Sequence, residues 1–187
     1  MNKRGTKWLS LGIFLTLLVV AGLYFFSAMV GQKYDSYYRD GLNSGKLANP
    51  ISGMSIKDAH ERFNEDYVHY FLVLMKAYNL KNTPVSNKLP EFEVVVNDEI
   101  YRVFVISGSI SVTKGKTENK DIIIRTTQSE ILGALQNPDS LHESFKSGAS
   151  KIEYVSDRST LLYKGYDAVF SRYTAGGITG NLIRSFN

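Results

Sequence analysis

Hydrophobic and polar positions change their period along the chain, and each change marks an element. From Trp8 to Val30 there is no Asp, Glu, Lys, Arg or His. As a helix rising about 1.5 Å per residue, that run reaches roughly 35 Å, enough for a hydrocarbon core of about 30 Å. It predicts one transmembrane helix over 8–30, behind a basic flank at 1–7. Residues 31–54, rich in Gly, Ser, Asn and Tyr, read as a juxtamembrane linker. Ser55 and Asp58 then form a helix start. Ile56, Ala59, Phe63, Tyr67, Tyr70, Phe71, Leu74 and Tyr78 recur at three- and four-residue spacing, predicting a helix over 56–81.

Beyond Pro90 the period becomes that of strands. Phe92–Val96, Ile100–Ile106 and Ser109–Thr113 are separated by Asn97-Asp98 and Ser107-Gly108, which are turn dipeptides. A polar loop, Lys114 to Lys120, leads to Asp121–Arg125. Connections this short predict antiparallel neighbours and a four-stranded meander. Thr127-Gln128-Ser129-Glu130 is a capping box. Asn137-Pro138 predicts the start of a second helix, ending at Gly148. Lys151–Val155 alternates as a fifth strand, Leu161–Tyr173 reads as a last helix, and 174–187 as a flexible tail. The expected fold is α+β: a five-stranded antiparallel sheet, covered on one face by helices over 55–173 and preceded by a single transmembrane helix.

Composition changes this picture in two places. The formal charge of +4 suggests nucleic acid, yet without Lys3, Arg4 and Lys7 the 22 Lys and Arg fall to 19, against 18 Asp and Glu. No nucleic-acid partner is expected of so balanced a domain. Cysteine is absent, which excludes disulfides and thiolate metal sites. The apolar run is longer than a signal-peptide core and lacks a clean small-x-small site, so retention as an anchor is favoured over cleavage. Lys3, Arg4 and Lys7 lie closer together than Lys33, Arg39 and Lys46. The expected localisation is single-pass membrane, N-terminus inside and the domain extracytoplasmic.

Candidate chemistry is sparse. His60-Glu61-Arg62-Phe63 begins like H-E-x-x-H, but Asn64 stands where the second zinc ligand is needed. No G-x-S-x-G elbow or phosphate loop is present. Neither catalytic nor metal-binding residues are assigned, no cofactor is expected, and the chain reads as a non-enzyme.

The stretch from Phe92 to about Phe170 resembles the sterol carrier protein domain family. The resemblance is carried by Lys120-Asp121-Ile122-Ile123-Ile124 running into Thr126-Thr127-Gln128-Ser129-Glu130-Ile131-Leu132. It continues through Phe145-Lys146-Ser147-Gly148 and Lys151-Ile152-Glu153-Tyr154, with Ser156-Asp157 where the family has Gly-Asp. It implies an apolar tunnel between sheet and helices for a fatty or isoprenoid ligand. Ile123, Ile131, Leu135, Phe145, Ile152, Leu162 and Val169 are the candidate wall, with plain core filling as the competing role. The expected function is a membrane-tethered domain that binds or presents an apolar molecule or lipid. The alternative is an interaction module with a closed core, meeting a protein partner that the residues do not identify.

Overall fold

A computed structural model describes residues 12–22, 36–38, 40–42, 47–82 and 88–174. The first described stretch is helix α1 (12–22). Its eleven residues rise about 16 Å, roughly half the span of a bilayer core. No helix among the described residues is long and apolar enough to cross a membrane. The expected single-pass anchor is thereby overturned, together with the extracytoplasmic placement that depended on it. The remainder of 8–30 lies outside the described residues.

The expected linker is attached to the domain wherever it is described. Tyr38 is buried and stacks on Tyr78, 4.4 Å between ring centres, while its hydroxyl donates to the Gly108 carbonyl at 2.9 Å. Ile51 is buried, and the Asn49 amide donates to the Leu135 carbonyl at 2.7 Å.

The amphipathic run after Ser55 forms two helices, α2 (Ile56–Glu61) and α3 (Glu65–Leu74). Ser55 caps the first as its spacing to Asp58 predicts. Asn64 caps the second, its side chain accepting from the Asp66 amide. An Asn before two acids is itself a helix start, and it interrupts the periodicity at Arg62–Asn64. A 3-10 turn, Ala77–Asn79, follows Lys76, which lies in the left-handed region at φ 61°.

Strands β1 (Glu91–Val96), β2 (Glu99–Ile106), β3 (Ser109–Lys114), β4 (Ile122–Thr126) and β5 (Lys151–Tyr154) form one sheet in the order β3-β2-β1-β4-β5. Ser107 and Gly108 both take positive φ, 48° and 79°, at the β2–β3 turn. Four strands were expected as a meander, but β4 lies parallel beside β1, so the sheet is mixed. The stagger of the strands explains how a short loop achieves this. Lys114 and Val94 both pair with Tyr101, and Ile123 pairs with Glu93. The end of β3 and the start of β4 are therefore nearly level, and the chain moves mostly sideways. Three strand spacings amount to about 14 Å, well within the reach of residues 115–121.

That crossing loop passes beneath the face away from the helices. Phe92, Val94 and Val96 of β1 point into the core, so Glu91 and Glu93 point to the loop. The Glu93 carboxylate accepts from the Thr117 amide and from Lys120 Nζ, each at 2.9 Å. Glu91 accepts from Arg102 Nε at 3.0 Å and from the Thr117 hydroxyl. Burial of Glu93 opposes its charge, but the Thr117 amide and Lys120 together hold its carboxyl below the usual range.

Helices α4 (Gln128–Gln136) and α5 (Ser140–Ser147) cover the other face with α3. Thr127 caps α4 as expected, whereas Asn137-Pro138 forms a turn and α5 begins at Ser140. The expected last helix is broken by Gly165 at φ 82° into α6 (Arg158–Tyr163) and α7 (Tyr166–Phe170), followed by a 3-10 turn, Ser171–Tyr173. Phe92 lies edge-on to Tyr166 and Phe170 at 6.1 and 6.3 Å, joining α7 to the sheet.

Because the folded pKa of Glu93 lies below its unfolded value, its contribution is complete above about 4.5 and is lost as pH falls through the folded pKa. Glu93→Gln should lower stability at pH 7 by about 1–3 kcal/mol, as expected for a charge-assisted bond to a buried carboxylate. Below pH 4 its urea midpoint should converge on that of the unsubstituted chain. A constant gap across that range would show that the carboxylate does not hold the crossing loop.

Candidate functional site

The seven expected wall residues separate into three groups. Ile131 and Leu135 of α4, Phe145 of α5 and Val169 of α7 are buried in the helix–sheet interior. Ile152 lies opposite Ile124 on the same side, half-buried against that core. Ile123 is on the other face, between Glu93 and Glu153, because β4 turns Ile122, Ile124 and Thr126 inward. Leu162 is 48% exposed, and Leu161 takes the inward place. The cap explains that shift. Asp157 accepts from the Thr160 amide at 3.1 Å, starting α6 at Arg158 and setting its rotation.

One interior group was missed by pattern reading. Tyr154, two residues beyond Ile152 on β5, places its hydroxyl out of contact with solvent and without a hydrogen-bond partner among the described residues. Burial pushes its phenol pKa up. The Thr174 hydroxyl is near enough to ease that rise while falling outside hydrogen-bond geometry, and the Asp167 charge adds to it. Thr174 follows Tyr173, whose ring packs on Phe145 at 5.0 Å. The hydroxyl therefore belongs to the end of the interior where β5 meets the last 3-10 turn.

A second place is a cleft of about 470 Å³ at the other side of the sheet. Lys88, Leu89 and Glu91 enter it from the approach to β1, and Phe104 from β2. Asn119, Lys120 and Asp121 enter from the crossing loop, and Ser156, Asp157 and Thr160 from the corner between β5 and α6. Lys164 forms part of its floor.

That floor is a saturated polar network. Lys164 and Asp121 are each only about 3% exposed in their side chains, and Lys164 Nζ lies 2.9 and 2.8 Å from the two carboxylate oxygens. Lys164 also donates to the Leu89 carbonyl at 3.0 Å. Asp121 further accepts from Ser156 Oγ and the Tyr166 hydroxyl, both at 2.9 Å, and from the Glu91 amide at 3.1 Å. Burial, with Asp121 beside it, pushes the Tyr166 phenol well up. Both oxygens of the Asp121 carboxylate thus accept at least two hydrogen bonds, and the Lys164 ammonium donates on three sides. The sequence carried a signal for it: a lysine three residues after Leu161, on the buried side of an apolar helix. Elsewhere, the His60 ring nitrogen lies 3.3 Å from Gln128 Oε1, which gives the broken zinc motif an ordinary partner.

No family model and no curated protein matches the chain. Among solved structures it is similar to the UbiJ-SCP2 ubiquinone synthesis protein, with a TM-score of 0.35 and 13% identity, over 59% of this chain and 91% of that one. A similarity of that degree carries nothing about ligand or activity.

Removing one partner of a buried pair leaves an uncompensated charge. Lys164→Met should cost about 3–5 kcal/mol, read from urea unfolding. Adding Asp121→Asn should recover part of that loss. A single-variant cost below about 1 kcal/mol would mean that solvent reaches the pair.

Proposed function

We propose that the chain is a non-enzymatic binding domain whose ligand is apolar or amphipathic and is held between the sheet and the helices. The observation that supports this is the Tyr154 hydroxyl. A buried hydroxyl without a partner costs about 1–3 kcal/mol, and such exceptions mark sites of strain, function or a missing group. Here it stands at the end of an interior packed by Ile131, Leu135, Phe145, Ile152 and Val169, and a ligand admitted among them would set its polar head against this donor and its apolar body against hydrocarbon. The saturated Asp121–Lys164 network is assigned a structural role in this reading. Exposed Val155, Leu162 and Tyr163, at 52, 48 and 65%, favour the rival reading of a protein-interaction surface.

Native mass spectrometry of the full chain, followed by solvent extraction, tests the proposal. The expected result is one apolar or amphipathic molecule per chain. Tyr154→Phe should weaken its retention about 2- to 10-fold, the range of one neutral hydrogen bond. The same variant should leave the emptied domain as stable or slightly more so. An empty mass that persists after incubation with mixed lipids would sink the ligand reading and transfer the case to the exposed α6 surface.

A further inference from the structure

From the unspent hydrogen-bonding groups of the cleft beside Phe104, we propose a separate site for small organic carboxylates that bear an apolar or aromatic group. On the side formed by the β5–α6 corner, the hydroxyl protons are already committed. Ser156 gives its proton to Asp121, and Thr160 gives its proton to Asp157 at 2.7 Å. The Asp157 carboxylate, held well below the usual range by the Ser159 and Thr160 hydroxyls, keeps its negative charge there.

The other side has donors to spare. Lys88 is exposed and makes no ion pair among the described residues. Lys120 Nζ bonds Glu93 and retains further N–H groups, its side chain 27% exposed. The Asn119 side-chain amide is exposed and enters no hydrogen bond among the described residues. Leu89 and Phe104 add apolar surface to the lining, Phe104 from β2, the strand farther from the β5–α6 corner, and the Arg102 guanidinium sits 4.1 Å from the Phe104 ring centre. The floor contributes no free donor, since Lys164 is fully engaged.

An anionic end is therefore favoured against Lys88, Lys120 and Asn119, away from Asp157, since the Arg102 cation and the Glu91 carboxylate already pair with each other. A carboxylate accepts from several such donors at once, whereas a neutral amide of the same shape offers one acceptor and brings unwanted protons. The remainder of the ligand lies along Leu89 and Phe104. The volume suits a small molecule. The site is on the loop side of the sheet, whereas Tyr154, although its strand position adjoins Asp121 and Ser156, turns its ring to the core, so the site stands independently of the interior ligand.

Calorimetric titration of the full chain with 3-phenylpropanoate, its primary amide and decanoate tests the assignment. The acid should bind at least ten-fold more tightly than the amide, and more weakly as salt is raised. Lys88→Gln and Asn119→Ala should each weaken the acid several-fold at unchanged thermal midpoint, and Tyr154→Phe should leave it unaltered. Decanoate that competes with the same Lys88 dependence would assign the carboxylate to a fatty acid. Acid binding without decanoate competition would assign it to a small free acid. Equal binding of acid and amide, indifference to both rim variants, or no heat with the acid would overturn the site.

Discussion

The buried pair of Lys164 and Asp121 fixes the relation between parts of the chain that share no other polar tie of this strength. Asp121 stands where the crossing loop becomes β4, and its backbone amide donates to the Glu91 carbonyl at 2.7 Å. Its own carbonyl accepts from the Val155 and Ser156 amides, at the end of β5. Lys164 carries α6 to the same point and, through its carbonyl, accepts from the Lys81 amide. One carboxylate thus sets where β1 begins, where β4 starts, where β5 stops and where the last helices dock. Such pairs are weak evidence of net stability, since desolvation offsets much of the attraction. What this one supplies is position: with so many donors aimed at one carboxylate, a displaced element leaves a buried charge unsatisfied.

The two candidate sites lie on opposite sides of that arrangement and differ in kind. Around Tyr154 the surroundings are mostly apolar, and its hydroxyl lacks a hydrogen-bond partner among the described residues. In the cleft polar groups surround Leu89 and Phe104, the floor is closed, and only the rim has capacity left. The proposed ligands would be held differently in the two, by burial in one and by donor placement in the other.

Much of the fold was legible along the chain because local rules and tertiary structure agree. The β1–β3 turns, the Ser55 and Thr127 caps and the stop at Gly148 involve neighbours in sequence, and each lies where its residues indicate. Errors arose where the deciding interaction was distant or where a second local signal was outweighed. Asn64 and Gly165 broke helices whose apolar period continued through them. The parallel placement of β4 rests on the stagger of β3 and on carboxylates meeting Thr117 and Lys120, and no periodicity reports such a meeting. The apolar candidates fared similarly. Residues on strongly periodic α4 and α5 faced inward, while Ile123 and Leu162 were turned away by a one-residue choice of phase that the sheet register and the Asp157 cap decide.

The central position of β1 bears on the order in which the molecule assembles. Its hairpin with β2 pairs residues close in sequence, but its other edge is matched only by β4, about thirty residues later. Contacts between distant residues form slowly. A chain emerging from synthesis therefore has its Val94-Val95-Val96 edge unpaired until the crossing loop and β4 have followed. An unpaired apolar edge is a template for another chain. Glu93, on the same strand, keeps its charge unpaired during that interval and opposes such pairing, for Arg102 of the hairpin reaches Glu91 while Lys120 meets Glu93 only once the loop has followed. The carboxylate that anchors the loop in the finished fold thus acts earlier as a guard against misassociation.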